Sequence, residues 1–127
     1  MYTVIRFSDT AGTNDLPRLG EQLNQLVPGS YTGLDRVPNR FSCSVCQEDD
    51  WALHHKAIID ILSRCAELIT NAQEKGITID VDVAVDPDDY CARMITELAL
   101  DLDLVDLLSN LRVSLEISIY GSGEPGS

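Results

Sequence analysis

Residues 50–75, DWALHHKAIIDILSRCAELITNAQEK, decide how this chain must fold. Trp51, Ile58, Ile61, Leu62, Cys65, Leu68, Ile69 and Ala72 recur at steps of three, four and seven. That is the period of one wide apolar stripe along an α-helix. Lys56, Asp60, Arg64, Glu67 and Glu74 fall on the opposite side, with Lys56–Asp60 and Asp60–Arg64 at i,i+4 spacing. Asp50 is placed to cap the N-terminus, and Gly76 to end the helix in a left-handed conformation. The pattern predicts one helix from Asp50 to Lys75, about 39 Å long at ~1.5 Å per residue. Such a helix buries its stripe only against a sheet or other helices.

The flanks supply the sheet. Before the helix, Arg40 to Gln47 alternates Phe41, Cys43 and Val45 against Ser42, Ser44 and Cys46, which predicts a half-buried strand. After it, Ile77, Ile79, Val81, Val83 and Val85 share one face of a strand, and Thr78, Asp80, Asp82 and Ala84 the other. Tyr2 to Ser8 is a β-branched and aromatic run with the same reading. Asp15 opens a short helix lined by Leu16, Leu19, Leu23 and Leu26, with Pro17 tolerated in the first turn and Pro28-Gly29 as its stop. Gly29 to Asn39 has no periodicity and reads as a surface loop.

Towards the C-terminus, Asp86-Pro87-Asp88-Asp89 is a turn cluster. Met94, Thr96, Leu98 and Leu100 alternate against Ile95, Glu97 and Ala99, so Met94 to Leu100 is expected to return as the second strand of a hairpin. Asp101 or Asp103 then caps a short helix carrying Leu104, Leu107, Leu108 and Leu111. Val113 to Tyr120 closes the sheet with Val113, Leu115, Ile117 and Ile119 inward, and the polar, Gly-rich tail 121–127 falls outside the fold. The fold class is therefore α+β, a two-layer sandwich over residues 1–120. Its about five-stranded, largely antiparallel sheet has helices on one face, in the order β-α-β-α-β-β-α-β.

Charge is the unusual total. Nine Lys and Arg against 21 Asp and Glu give −12. Residues 1–47 are neutral, whereas residues 80–106 hold nine acids against Arg93 alone. A chain this acidic is unsuited to nucleic acid or anionic membranes. No stretch reaches the ~18 apolar residues of a membrane span, and MYTVIRFSD lacks the pattern of a signal peptide, so the expected compartment is the cytoplasm.

No motif carries catalysis or a cofactor. Cys43-Ser-Val-Cys46 is a CxxC, but in a regular strand positions three apart face opposite ways, which argues against a shared zinc ion or a disulfide. Cys65 falls in the helix stripe and Cys91 in a turn; four such thiols fit a reducing compartment. His54 and His55 flank the stripe as rim histidines, with no nucleophile in a recognisable context. Asp80, Asp82, Asp86, Asp88 and Asp89 lack the Gly and final Glu of an EF-hand loop, so no metal is expected. Gly121-Ser122-Gly123 opens no helix and is not a phosphate loop.

Residues 96–120, TELALDLDLVDLLSNLRVSLEISIY, combine a strand, a short Leu-rich helix and a final strand with an aliphatic–acid–aliphatic–polar–aliphatic–Tyr ending. This resembles the close of a bacterial family of small α+β proteins that includes immunity proteins of contact-dependent growth-inhibition and polymorphic toxin systems. The resemblance implies a non-enzymatic inhibitor of a cognate protein toxin and brings no functional residues with it; the acidic charge suits a basic toxin such as a nuclease. The expected partner-binding acids follow from charge: Asp80, Asp82, Asp86, Asp88, Asp89, Glu97 and Glu116, on the polar side of the sheet and its adjoining turn. The alternative is an adaptor or assembly subunit that binds another protein through the sheet.

Overall fold

The computed structural model describes residues 1–37, 39–85 and 100–119. In chain order these form β1 (Tyr2–Asp9), α1 (Leu16–Leu26), β2 (Arg40–Cys46), α2 (Trp51–Arg64), α3 (Ala66–Glu74), β3 (Ile77–Val85), α4 (Leu102–Leu111) and β4 (Ser114–Ile119). The α+β class stands, with four helices and an open four-stranded sheet of order β2-β1-β3-β4 among the described residues. β1 is antiparallel to both β2 and β3, whereas β3 and β4 are parallel, with α4 between them in the chain. The sheet is thus mixed, and the element order differs from the one expected. The predicted strand Met94 to Leu100 lies outside the described residues except for Leu100, which is exposed and not in a strand. Cys91 and the tail also lie outside them.

One core joins the helices to one side of the sheet. Ile5 and Phe7 of β1, Phe41 and Cys43 of β2, and Ile77 to Val85 at every second position of β3 pack with Leu16, Leu19 and Leu23 of α1. Ile58, Ile61 and Leu62 of α2, Ile69 and Ala72 of α3, and Leu104 and Leu108 of α4 complete it. Burying each such aliphatic side chain contributes roughly 1.5–3 kcal/mol, so the periodic positions dominate stability. Phe7 stacks on Phe41 at 4.7 Å, and Tyr31 meets Phe41 edge-on at 4.9 Å, which fastens Tyr31 and the chain beside it to the sheet. Gly20 makes that possible: a Cβ there would stand 2.4 Å from the Tyr31 ring.

The long helix is divided. Cys65 ends α2 and begins α3 with φ −103° and ψ 12°, outside helical values, although Ile69 N–H still donates to its carbonyl at 2.9 Å. No Pro or Gly marks the break, and the apolar stripe runs through it, with Cys65 itself 2% exposed. Both predicted ends hold. Asp50 accepts a hydrogen bond from Ala52 N–H at 3.0 Å, and Gly76 takes φ +92°. At the other end of β1, buried Asp9 accepts from Thr13 N–H (3.0 Å), Thr13 Oγ1 (2.9 Å) and Asn14 N–H (2.9 Å), closing the turn into α1. These bonds, the Thr13 N–H first, hold the Asp9 carboxyl below its usual pKa although burial opposes them.

Two further expectations are corrected. Ile117 and Ile119 face the helix side beside Val83 and Val85, yet they are 46% and 68% exposed rather than inward. β2 carries an irregularity: Val4 pairs with Ser44 but Thr3 pairs with Cys46, leaving Val45 as an extra residue. Strict alternation therefore stops at Ser44, and Cys46 stands across from buried Thr3 instead of opposing Cys43.

Candidate functional site

The polar side of the sheet is organised by one cation. Alternation puts Arg6 of β1 on the face opposite Ile5 and Phe7, and antiparallel pairing sets it directly across from Asp80. Parallel pairing of β3 with β4 sets Asp82 beside Glu116. Arg6 donates to Asp80 Oδ2 through Nε at 3.0 Å and Nη2 at 2.6 Å, and reaches across β3 to Glu116 Oε2. Its Nη1 lies 3.8 Å from Asp82 Oδ2, and Ser118 Oγ donates to Asp82 Oδ1 at 2.8 Å. The bond to Asp80 is the largest of the causes that push the Arg6 pKa up; the bond to Glu116 and the charges of Asp80 and Asp82 add to it, against desolvation.

Three of the expected partner-binding acids are thus brought together, but not as free groups facing water. Asp82 is buried (2% exposed), Asp80 is partly covered, and Glu116 is open. Three carboxylates share one guanidinium, leaving a net negative cluster whose accessible rim is Glu116 and part of Asp80. Asp86, Asp88, Asp89 and Glu97, the other expected site residues, lie outside the described residues. Sequence reading missed Arg6 as the hub; the signal was a lone base on the polar side of β1 beside a strand with two acids on its own polar side.

His54 also departs from expectation. It is fully buried rather than on a rim, and its Nδ1 lies 2.7 Å from Thr3 Oγ1. Its Nε2 meets the Glu48 carbonyl, which only accepts, so in the neutral ring Nε2 carries the proton and Nδ1 accepts from the Thr3 hydroxyl. A hydroxyl bonded to an imidazole is the arrangement of a nucleophile and its base. Here both residues have no exposed surface, so no substrate reaches the hydroxyl. The pair ties β1 to the start of α2. His55 keeps its side chain 15% exposed, with Nε2 at 3.7 Å from Asp101 Oδ2 and no hydrogen-bond partner among the described residues.

Cys43 and Cys65 are poor nucleophiles. Burial, with the neighbouring Cys65 adding, pushes the Cys43 thiol up to about 11, and burial likewise raises Cys65. Among the described residues no group of three or more His, Cys, Asp or Glu is arranged to hold a metal ion. A groove of about 260 Å³ runs between α1 and α3 with Arg18, Arg64 and Lys75 at its rim. Lys75 is answered by Asp15 at 3.6 Å and Arg64 by Asp60 at 3.1 Å. No described helix is long and apolar enough to cross a membrane. Set against known protein families, curated proteins and solved structures, the chain matches none of them.

Proposed function

We propose that this chain is a non-catalytic immunity protein that binds a basic protein toxin and neutralises it by covering its cationic surface. The observation that carries this reading is the shortage of counter-ions. With −12 overall, Glu21, Glu48, Glu67, Glu74, Asp103 and Asp106 are all exposed and have no ion-pair partner among the described residues. Solvated acids of this kind keep a protein soluble; gathered on an inhibitor they also speed encounter with a basic partner and occlude its phosphate-binding groups. The Asp80–Asp82–Glu116 cluster and Asp86, Asp88, Asp89 and Glu97 belong to the same proposal. Because Arg6 ties the first three, reversing their charge would disturb the sheet as well as the surface.

The test is co-expression with the basic protein encoded beside this chain's own gene. Restored growth together with an isolable stoichiometric complex, whose association slows as salt rises, is the expected outcome. Rescue without a complex, or turnover of a substrate by the isolated chain, would overturn the reading.

A further inference from the structure

We infer that the end of the molecule built from the first turns of α2 and α4 and the last residues of β4 is a docking surface for a cationic amphipathic helix of a partner protein. The inference rests on the function proposed above and names the surface and the partner chemistry it uses.

Apolar exposure is the first observation. Of ten large hydrophobic side chains exposed among the described residues, six lie here: Leu53 (46%), Leu100 (40%), Leu102 (78%), Val105 (41%), Ile117 (46%) and Ile119 (68%). Single exposed aliphatics need no explanation, whereas a gathered set marks an interaction surface. Topology does the gathering. β4 follows α4 through a tight connection and runs back along it, which returns Ile119 to the end where α4 begins. Asp101, just before α4, lies 3.7 Å from His55 in the first turns of α2, so the two helix starts stand side by side. Leu53 and Leu102 flank that contact in the chain.

Charge is the second. Glu48, Asp49 and Asp50 precede α2, and Asp101, Asp103 and Asp106 open α4; all six are exposed. Among the described residues, Lys56 and the N-terminal amine, 3.8 Å from Asp49, stand against them. Acids do favour helix N-termini for their own sake. Capping accounts for Asp50, but Asp101 makes no side-chain cap bond, and no capping role explains a Leu left 78% exposed at the first position of α4. An apolar centre ringed by one sign of charge is the complement of a helix with an apolar stripe flanked by Lys and Arg. A second copy of this chain would oppose these acids with the same acids, and an anionic bilayer would repel them.

The chain carries its own reporter, since its one tryptophan, Trp51, sits half-buried in the first turn of α2. The probe is a Trp-free peptide of about 18 residues made of Lys and Leu, with Leu recurring every ~3.6 residues. A saturable change in Trp51 emission is expected, weakening as salt rises. Binding should fall at least tenfold for Leu102→Asp, for the pair Asp103→Asn and Asp106→Asn, and for a peptide of the same composition with its Leu residues scrambled. Leu102 is largely in solvent, so its variant should fold, which circular dichroism checks. No binding of the striped peptide at low salt, equal binding by the folded Leu102→Asp chain, or equal binding of the scrambled peptide would each overturn the inference. So would a concentration-dependent dimer abolished by Leu102→Asp, which would assign the surface to a second copy. Toxin neutralisation retained by Leu102→Asp would sink this surface alone. Failure of the wild-type chain to neutralise, with peptide binding intact, would sink the function reading alone.

Discussion

Replacing Arg6 by Met keeps the length of the side chain and removes the hub of the acidic cluster. Three losses contribute. The Glu116 arm is more than half in solvent and is worth at most ~1 kcal/mol. The Asp80 arm, two charge-assisted hydrogen bonds at 3.0 and 2.6 Å, is worth roughly 1.5–3 kcal/mol. Asp82 then stays buried with Ser118 Oγ donating to it and no other cation in reach among the described residues. At 3.8 Å and an effective dielectric near 20, the Arg6–Asp82 attraction is ~4 kcal/mol before desolvation offsets part of it. Since the variant also recovers the desolvation of Arg6, the expected net loss is about 3 kcal/mol, the low end of the range for breaking a buried ion pair. In urea denaturation, with a slope of ~2 kcal/mol per M, the midpoint should fall by about 1.5 M at unchanged slope. Adding Asp82→Asn to the Arg6→Met chain should recover part of the loss, giving a coupling of at least ~1 kcal/mol in a double-mutant cycle. A single-variant loss under ~1 kcal/mol, or strict additivity in the cycle, would refute the role assigned to Arg6.

Two other expectations concern stability. Gly20→Ala would ordinarily strengthen a helix by ~1 kcal/mol; here its Cβ lands 2.4 Å from the Tyr31 ring, so a net loss of ~1–3 kcal/mol is expected, reduced when Tyr31 is also changed to Ala, as read by thermal or urea unfolding. Asp9 has a lowered folded pKa, so its contribution is fully present above the ordinary carboxylate range and is lost as pH falls through that depressed value. Asp9→Asn should lower stability at neutral pH, and the gap to the wild type should narrow in acid; a gap that stays constant down to pH ~2 would argue against the hydrogen-bonded carboxylate.

Local periodicity carried the sequence reading far. Strand faces, the Asp50 cap, the Gly76 stop and the inward Leu104 and Leu108 follow from alternation, heptad-like spacing and turn chemistry, all of which act between near neighbours. What alternation cannot supply is which strands adjoin. Arg6 and Asp80 are 74 positions apart, so the hub appears only when β1 is seen lying between β2 and β3. The same blindness hid the parallel pairing of β4. The break at Cys65 had no marker residue, and the extra Val45 in β2 upset a face assignment that counting by twos had made look secure. His54 looked like a rim residue because its polarity was read without its partners, Thr3 and Glu48. The exposed Leu102 and Val105 of α4 were visible in the sequence, but only their outward direction in the structure separates them from the core set.

The place of β1 between β2 and β3 bears on how the chain reaches this state at all. Its Phe7 must find Phe41 on one side and Ile79 on the other, partners separated from it by whole helices. Loop closure over such distances is costly before any contact repays it, so folding should be slow for a chain of this size. β1, α1 and β2 can meet first, but one margin of β1 then offers unpaired backbone groups until β3 arrives. During that interval the strand YTVIRFSD is the segment most open to pairing with another chain, and Arg6, still without its acids, is the charge within it that discourages such a contact.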